Sequence, residues 1–429
     1  MTMAADQGPG PSPEPRAPEA ARTPASKSPG DGDLSTQIDA DAVELSTRLR
    51  EHQLRTFPPT AKKTIRRFQP AEAAKYLGVT DSYLRQLAQE LAKEGKGPAP
   101  QPNGRRSYGV DDIHDLRVAL DQSNPARGYL PRRGDSHLQV VSCINFKGGS
   151  GKTTTAVHLA QHLALHGYRV LAIDLDPQAS LTAMFGYQPE MDVGANETIY
   201  GAIRYDSSRR EMAEIVRATY IPGLHLVPGQ IELMEFEHET PMALMQSGGG
   251  PAAFARIGGA ISQVADAYDV VVVDCPPQLG FLTLSALCAT TAVLITVHPQ
   301  MLDVMSMSQF LNMAGGLLNV VTRAGGSARY DWMRYLITRF EPGDGPQAQM
   351  AGFMRSIFGE RVLANAMLKS TAISDAGLTK QTLFEVERQQ FSRSTYDRAM
   401  ESLDAVNGEI EALIRAHWSP LDSAQKRRA

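Results

Sequence analysis

A glycine-rich loop carries the residues whose types and spacing are best suited to chemistry. It runs as Phe146-Lys-Gly-Gly-Ser-Gly-Lys-Thr-Thr154, after a strand predicted over 140–145 and before a helix predicted over 155–166. Glycines let backbone N–H groups approach phosphates closely, and the positive end of the helix attracts the same anion. The pattern predicts a nucleotide phosphate loop, in which Lys152 contacts the β- and γ-phosphates and the Thr153 hydroxyl binds Mg²⁺. The candidate nucleotide-binding residues here are Lys147, Gly148, Gly149, Ser150, Gly151, Lys152, Thr153 and Thr154.

Two further predicted strands end in carboxylates. The strand over 169–176 contains Asp174 and Asp176, and the strand over 268–274 ends in Asp274. Near-continuous apolar runs are typical of parallel strands covered on both faces, and ligands bind at the carboxyl ends of such strands. We assign Asp174 and Asp274 to the metal, together with the loop threonine, and Asp176 to catalysis. Which of Asp174 and Asp176 positions the attacking water stays open, and Asp174 or Asp274 could instead cap its strand.

These residues belong to a chain of 429 residues, of which 42% are hydrophobic and 21% charged. Such values are ordinary for soluble globular proteins, and the length suits two or three domains. Three cysteines without ligand spacing exclude a disulfide scaffold and a sequence-evident zinc site. We find neither a signal peptide nor an apolar run near the roughly 18 residues of a membrane span. We expect a cytoplasmic protein whose largest domain, over 137–420, is an α/β fold with a doubly wound, mostly parallel sheet.

The rest of the chain divides into shorter segments. Residues 1–35 contain seven of the 27 prolines and are predicted to be disordered, because they cannot bury enough apolar surface. Residues 36–56 show helical apolar spacing and are predicted to form a helix that either docks on the protein or pairs with a second copy. A linker rich in Pro, Gly and Arg is predicted over 123–136, and a basic tail over 421–429.

The segment over 57–122 is predicted to be a small winged helix-turn-helix domain that binds DNA. Ten Lys or Arg residues stand against four acids up to residue 106, a local balance of +6 in a chain whose net charge is -4. A basic module inside an acidic protein is the charge pattern expected of a nucleic-acid-binding domain. A protein-docking fold is the alternative.

The sequence inside this segment supports the first interpretation. A helix over 70–77 begins at a proline, Gly78 makes a turn, and a second helix is predicted over 82–93. The following Gly104-Arg-Arg-Ser-Tyr108 and a helix from Asp111 resemble the wing and next helix of the MerR-like group. The predicted DNA contacts are Ser82, Tyr83, Arg85, Gln86, Gln89, Arg105 and Arg106.

The phosphate loop carries a second lysine, Lys147, five residues ahead of Lys152. The resulting K-G-G-S-G-K-T-T resembles the deviant Walker A motif of the ParA/MinD ATPases. The motifs D-L-D-P-Q-A-S at 174–180 and V-V-V-D-C-P-P at 271–277 complete that family's set. Segments around 336–347 and 367–377 resemble the RepA-type partition ATPases of repABC replicons.

The resemblance implies a homodimer that encloses ATP and Mg²⁺, in which Lys147 reaches the partner's phosphates. It implies slow hydrolysis, catalysed with Lys147, Lys152 and Asp176 and stimulated by DNA and a ParB-like centromere-binding protein. Thr338 and Arg339 follow a later strand and are proposed to contact adenine. The resemblance implies two kinds of DNA ligand. The amino-terminal domain binds a specific operator, and basic residues of the C-terminal helices hold nonspecific nucleoid DNA. These residues are Arg388, Arg393 and Arg398, which could equally form a solvated helix face.

The function that we expect is a DNA-partition ATPase that is associated with the nucleoid, segregates a low-copy replicon and represses its own operon. The alternatives are a transcriptional repressor that uses ATP only as a ligand, and a chromosomal positioning ATPase. An iron–sulfur reductase is disfavoured, because Cys275 and Cys288 look like small core residues. The helix around 410–418 is expected to dock on the protein rather than bind a membrane. Methionines between Met301 and Met313 are expected to pack inside the fold.

Overall fold

A computed structural model describes residues 34–56, 63–93, 97–98, 106–246, 251–323, 325–326 and 328–418. The chain falls into two compact units, 1–62 and 63–429, and each is described here by itself. The predicted tails lie almost wholly outside the described residues, as does the predicted DNA contact Arg105.

The larger unit is built on seven strands and fifteen of the sixteen α-helices in the described part of the chain. The strands are β1 Gln139–Ile144, β2 Val170–Asp174, β3 Arg217–Ala218, β4 Leu224–Val227, β5 Val270–Asp274, β6 Ala292–Val297 and β7 Trp332–Ile337. The helices up to the third strand are α1 Leu34–Thr56, α2 Pro70–Leu77, α3 Asp81–Lys93, α4 Val110–Ser123, α5 Lys152–Leu165, α6 Ser180–Met184, α7 Pro189–Asp192, α8 Ile199–Ile203 and α9 Met212–Ile215. The later helices are α10 Leu233–Gln246, α11 Arg256–Gln263, α12 Phe281–Ala289, α13 Met301–Arg323, α14 Gly345–Phe358, α15 Thr371–Leu378 and α16 Arg393–Trp418.

The sheet has the order β3-β4-β2-β5-β1-β6-β7, and every neighbouring pair is parallel except β3 and β4. The predicted α/β fold with a doubly wound, mostly parallel sheet is confirmed. The register pairs Asp274 with Cys143 on one side and with Asp174 on the other. Both strand-end acids therefore lie at the edge of the sheet where β1 runs into the phosphate loop.

The core lies on both faces of this sheet. Alternate residues of β1 point to opposite faces, so Val141 and Cys143 join one apolar cluster while Val140 and Ile144 join the other. The first cluster packs α2 to α6, α15 and α16 against the sheet, and the second packs α8 to α14. Two-sided burial explains why these strands read as continuous apolar runs.

The smaller unit contributes α1, and the segment 36–56, for which the sequence predicts a helix, lies within it. Its apolar side chains Leu34, Ile38, Leu45 and Leu49 are spaced to share one side of the helix, and all four are exposed. An exposed apolar stripe of this length is typical of a helix that packs against another protein surface.

Two helices joined by a tight turn occur where the sequence predicts them. Helix α2 begins at Pro70 and ends at Leu77, and it is capped by Gly78, whose φ of 64° lies in the left-handed region. The backbone N–H of Tyr83 donates to Thr80 Oγ1 at 3.3 Å, so Thr80 caps α3. Leu84 is buried beneath α3. That these helices form a DNA-binding domain stays a prediction.

The C-terminal helix α16 docks on the larger unit, as expected, through buried residues that include Ile410 and Ile414. The prediction that the methionines between 301 and 313 pack inside the fold was wrong for three of the four. Met307 is buried, but Met301, Met305 and Met313 are 61%, 56% and 43% exposed. Among the described residues, we find no helix with the length and apolar character needed to span a bilayer.

Candidate nucleotide site

The phosphate loop connects the end of β1 to the first residue of α5, Lys152. Gly149 and Gly151 have φ of 76° and 89°, a left-handed conformation that L side chains rarely adopt. A Cβ at Gly151 would also lie 3.4 Å from Thr338 Cβ. Glycine is required at these two positions because the loop must turn sharply beneath a neighbouring strand end.

Three side chains hold the loop against the sheet. Asn145 Oδ1 accepts the backbone N–H of Lys147 at 3.0 Å. Ser150 Oγ lies 3.0 Å from Thr296 Oγ1 at the end of β6, and Thr338 Oγ1 donates to the Ser150 carbonyl at 2.7 Å. The predicted ligand Ser150 is thus buried and serves to anchor the loop, while its neighbours face the cavity.

A cavity of about 560 Å³ opens above the loop. It brings together most of the predicted nucleotide residues from three separate parts of the chain. These are Gly148, Gly149, Gly151, Lys152, Thr153, Thr154, Asp176, Thr338 and Arg339. It is also lined by residues that the sequence did not assign to the site, namely Gln178, Ser180, Pro277, Met367, Leu368, Lys369, Ser370, Ile373, Ser374 and Gly377.

The predicted magnesium residues Thr153 and Asp274 are in direct contact. Thr153 Oγ1 donates to Asp274 Oδ2 at 2.6 Å, whereas the buried Asp274 Oδ1 has no hydrogen-bond partner among the described residues. Burial, reinforced by the charge of Asp174, raises the pKa of Asp274 well above its ordinary value, while Thr153 and Lys152 act in the opposite direction. A buried carboxylate oxygen without a partner, beside a threonine hydroxyl, fits a hydrated Mg²⁺.

Asp174 is placed differently from Asp176. It is fully buried, and its oxygens accept the N–H and hydroxyl of Thr182 at 2.8 and 2.7 Å and the N–H of Asp176 at 3.1 Å. Burial raises the pKa of Asp174 to about 7, against the effect of these hydrogen bonds. Asp176 lines the cavity, whereas Asp174 is not among the lining residues. Asp174 therefore holds the segment after β2 in place, and Asp176 is the acid that faces the cavity.

The two lysines of the loop point in different directions. Lys152 is buried, lines the cavity and donates through Nζ to the Lys147 carbonyl at 3.3 Å. Burial lowers the pKa of Lys152, although Asp274 and Asp176 favour its charged form. Lys147 instead places Nζ 2.7 Å from Oδ2 of Asp303, a buried residue near the start of α13.

The residues proposed for adenine follow β7 at one end of the cavity. Thr338 is buried, whereas Arg339 has a φ of 52° and donates through Nη1 to the Gly149 carbonyl at 3.3 Å. Such a φ is uncommon for a residue with a side chain and marks a tightly specified turn. Both residues lie where they could contact a bound nucleotide.

The predicted DNA contacts of α3 form an exposed surface. Tyr83 and its neighbours Ser82, Arg85, Gln86 and Gln89 are all exposed. Arg85 pairs with Asp81 one turn earlier, and Gln86 donates to Glu90 at 3.0 Å. Arg106 is half-buried in the larger unit.

The predicted basic residues at the C-terminal end differ in their surroundings. Arg388 is exposed but pairs with Asp397, whereas Arg393 is exposed at the first turn of α16. Arg398 lines a polar cavity of about 300 Å³ between the first turns of α15 and α16. The other residues of this cavity are Leu368, Lys369, Ser370, Thr371, Ser394, Thr395 and Ala399.

Comparison with known proteins agrees with this geometry. A family model described as an AAA domain matches residues 138–321. A protein of Rhizobium rhizogenes named replication protein A is 61% identical over 388 residues, which cover 90% of this chain and 96% of that protein. Protein SopA of Escherichia coli K12 is 28% identical over 87% of this chain and 95% of its own length. A solved structure titled Partition Protein shares the fold, with a TM-score of 0.61 and 17% identity over 89% of this chain and 99% of that one.

The fold and the two-lysine loop define a P-loop ATPase of the ParA type. Within that class, the chain belongs to the RepA-type partition ATPases, the family of the rhizobial replication protein A.

Proposed function

We propose that this protein is an ATP-dependent DNA-partition motor that segregates a low-copy plasmid or secondary replicon. The observation that carries the proposal is that the side chains of the two loop lysines lie in different surroundings. Lys152 lines the cavity of its own chain, whereas Lys147 does not line it and pairs with Asp303. A second cation that does not serve its own cavity is suited to act on the nucleotide of another copy.

The residues around the cavity support hydrolysis of ATP. Lys152 and the loop amides bind the phosphates, and Thr153 with Asp274 would hold Mg²⁺, which neutralises charge on the phosphate oxygens when bound. Asp176 lines the same cavity as the loop and orients the attacking water. Asp174 acts indirectly, because it fixes the backbone of the segment that carries Asp176.

Dimerisation is part of the proposal. ATP bound between two copies would bring Lys147 of one to the phosphates of the other, and hydrolysis would separate them. The exposed stripe of α1, from Leu34 to Leu49, supplies a second surface that suits pairing with its own copy. A homodimer can therefore form through two regions that lie in different units of the chain.

Two surfaces are suited to DNA. The exposed side chains of α3 would read a specific operator and so repress the protein's own operon. The cavity containing Lys369 and Arg398 also receives the first turns of two helices, which favour anions, and several hydroxyl groups. It suits a phosphate of nonspecific nucleoid DNA. A ParB-like protein bound to the centromere would then stimulate hydrolysis and release the DNA.

A transcriptional repressor that uses ATP only as a ligand is the second candidate, and the α3 surface favours it equally. The two functions differ in the role of Lys147 and Asp176. In a motor, removing either side chain leaves ATP binding intact and abolishes turnover. In a repressor of this kind, the same changes alter repression only through the affinity for ATP. A chromosomal positioning ATPase would differ in its partner rather than its chemistry.

The decisive experiment is steady-state ATP hydrolysis by the purified protein, with and without generic duplex DNA at low salt. We expect weak turnover that rises with DNA and disappears in both Lys152→Ala and Lys147→Ala. Lys147→Ala should still bind ATP, whereas Lys152→Ala should not. ATP binding without turnover, either with DNA or with a ParB-like centromere-binding protein, would overturn the motor and favour the repressor.

A further inference from the structure

Arg117 of α4 is a buried arginine whose partners are backbone carbonyls. It is 5% exposed. Its Nη2 donates to the carbonyls of Tyr76 at 2.6 Å and Leu165 at 2.7 Å, and its Nη1 donates to the carbonyl of Tyr129 at 3.1 Å. None of its hydrogen bonds to described residues involves a carboxylate. Burial lowers the pKa of Arg117 to about 10, so the side chain keeps its charge at neutral pH.

Two of the carbonyls that Arg117 contacts lie at the C-terminal ends of helices. Leu165 is the last residue of α5, and Tyr76 is the last but one of α2. The final carbonyls of a helix lack partners within the helix and carry its negative partial charge. One guanidinium therefore caps two helices at once. The first of them starts at Lys152 in the phosphate loop, and the second leads through the Gly78 turn into α3.

The junction is built to admit this side chain. Gly167 has a φ of 91°, and a Cβ there would lie 2.4 Å from Cδ of Arg117. His166, beside it, packs its ring edge-to-face against Tyr76 with centroids 5.6 Å apart. The end of α5 and the end of α2 are thus held together by both hydrogen bonds and ring packing.

We propose that Arg117 is a positioning residue that couples the nucleotide state of α5 to the placement of α2 and α3. The proposal rests on the proposed function in one respect, namely that the loop before α5 binds ATP. A displacement of α5 at Lys152 reaches Leu165 because the helix is a rigid element of four turns. Arg117 passes that displacement to α2, and the short turn at Gly78 passes it to the exposed face of α3.

Helix α2 also has an ion pair that does not involve α5. Lys75 Nζ pairs with Asp404 of α16 at 2.8 Å, on the surface of the protein. Arg132 provides a matched comparison, because it lies at the same junction and donates through Nη1 to the Gly167 carbonyl at 2.7 Å. Arg132 contacts the chain just after α5 without a hydrogen bond to α2 among the described residues.

The test is hydrogen exchange of the full-length protein with and without ATP and Mg²⁺, at low temperature and short times. In the wild type, ATP should slow exchange both at 147–155 and at 70–93, the latter by about fivefold or more, which is the lower range of coupling between sites. Arg117→Met fills a similar volume without the hydrogen bonds, and should keep the protection at 147–155 while losing it at 70–93. Arg132→Met should keep both.

The outcomes separate this inference from the proposed function. No protection at 147–155 in the wild type would mean that ATP does not bind, and would overturn the proposed function itself. Protection at 147–155 alone in the wild type, or an unchanged response at 70–93 in Arg117→Met, would overturn the coupling. If Arg117→Met fails to fold, Arg117→Lys decides, because one ammonium lacks the planar fork that serves two helix ends. In Arg117→Lys, the protection by ATP at 70–93 should fall, whereas the protection of the phosphate loop at 147–155 should stay unchanged.

Discussion

Lys147 and Asp303 form an ion pair of 2.7 Å between the phosphate loop and the start of α13, in which the carboxylate is buried and the lysine half-exposed. This pair holds the side chain of Lys147 outside the set of residues that line the nucleotide cavity of the same chain. Any action of Lys147 on another copy requires that the pair be broken, and the free energy of the pair then opposes dimerisation.

The first prediction is that Asp303→Asn accelerates ATP hydrolysis. An asparagine keeps the size of the side chain but removes the charge that competes for Lys147, and a partly buried pair of this kind contributes about 1 kcal/mol. Turnover should rise by roughly fivefold, the factor that corresponds to that energy. Steady-state hydrolysis at saturating ATP measures it. The double variant Lys147→Ala/Asp303→Asn should stay inactive, and a fall in the rate of the single variant would contradict the restraining role.

The second prediction concerns Asp274 and the magnesium. Asp274→Asn replaces the unpartnered Oδ1 or the acceptor of Thr153 with an amide, and so weakens any bound Mg²⁺ by about tenfold to a hundredfold. Titration of hydrolysis with Mg²⁺ at fixed ATP should show this shift. Asp266→Asn is the matched control, because that acid is exposed and should leave the titration unchanged. Equal midpoints for Asp274→Asn and wild type would remove Asp274 from the metal site.

Some of this site could be predicted from the sequence because it is contiguous. The strand, the glycine loop and Lys152 to Thr154 follow one another, so local spacing alone defines the phosphate site. The parallel register of β1, β2 and β5 then brings Asp174 and Asp274 to the same edge, which apolar strand patterns also indicate.

Other features depend on contacts that no local pattern records. Lys147 and Asp303 are 156 residues apart, and the sequence gives no sign that α13 supplies a partner for the loop. Arg117 reads as an ordinary surface residue of an amphipathic helix, although it is buried between two helix ends. The apolar character of the methionines of α13 predicts that they lie inside the fold, but Met305 and two others are exposed. Periodicity cannot tell a buried stripe from an exposed one when both sides of a helix are apolar.

The third prediction separates the two acids after β2. Asp176→Asn should retain ATP binding and thermal stability but lower turnover by about a hundredfold or more, because Asp176 faces the cavity. Asp174→Asn should lower stability, since its amide cannot accept every bond from Thr182 and Asp176, at a cost of roughly 1–3 kcal/mol. Thermal unfolding and nucleotide binding of both variants measure the difference. The assignment fails if Asp174→Asn folds normally and only turnover is lost.

The fourth prediction compares two arginines on the proposed surface for nonspecific DNA. Arg398→Ala should weaken binding to any duplex and reduce the slope of log affinity against log salt by about 0.9, the value for one lost phosphate contact. Arg388→Ala should change both quantities less, because Arg388 already pairs with Asp397. Fluorescence anisotropy with a random-sequence duplex over a range of salt provides the measurement. Identical slopes in wild type and Arg398→Ala would exclude the cavity as a phosphate site.

The last prediction is a dependence of stability on pH that originates in His158 of α5. Its Nδ1–H donates to the Thr154 carbonyl at 2.7 Å, and its Nε2 accepts the N–H of Leu383 at 3.4 Å, so the neutral ring has both partners. Burial lowers the pKa of His158 to about 4, and the nearby Lys63 acts in the same direction.

In the unfolded chain this histidine binds a proton below its ordinary pKa of 6.5, whereas in the folded protein it stays neutral down to about pH 4. Protonation therefore favours unfolding, and the contribution is lost as pH falls from 6.5 toward 4, at about 1.4 kcal/mol per pH unit. His166, whose pKa burial lowers to about 3, adds a similar effect. As the pH is lowered from 7.5 to 5.5, the thermal midpoint of His158→Gln should fall less, or rise more, than that of the wild type. The raised pKa of Asp174 acts in the opposite direction over this range but is common to both proteins. An unchanged pH dependence in that variant would show that His158 is not neutral in the folded protein.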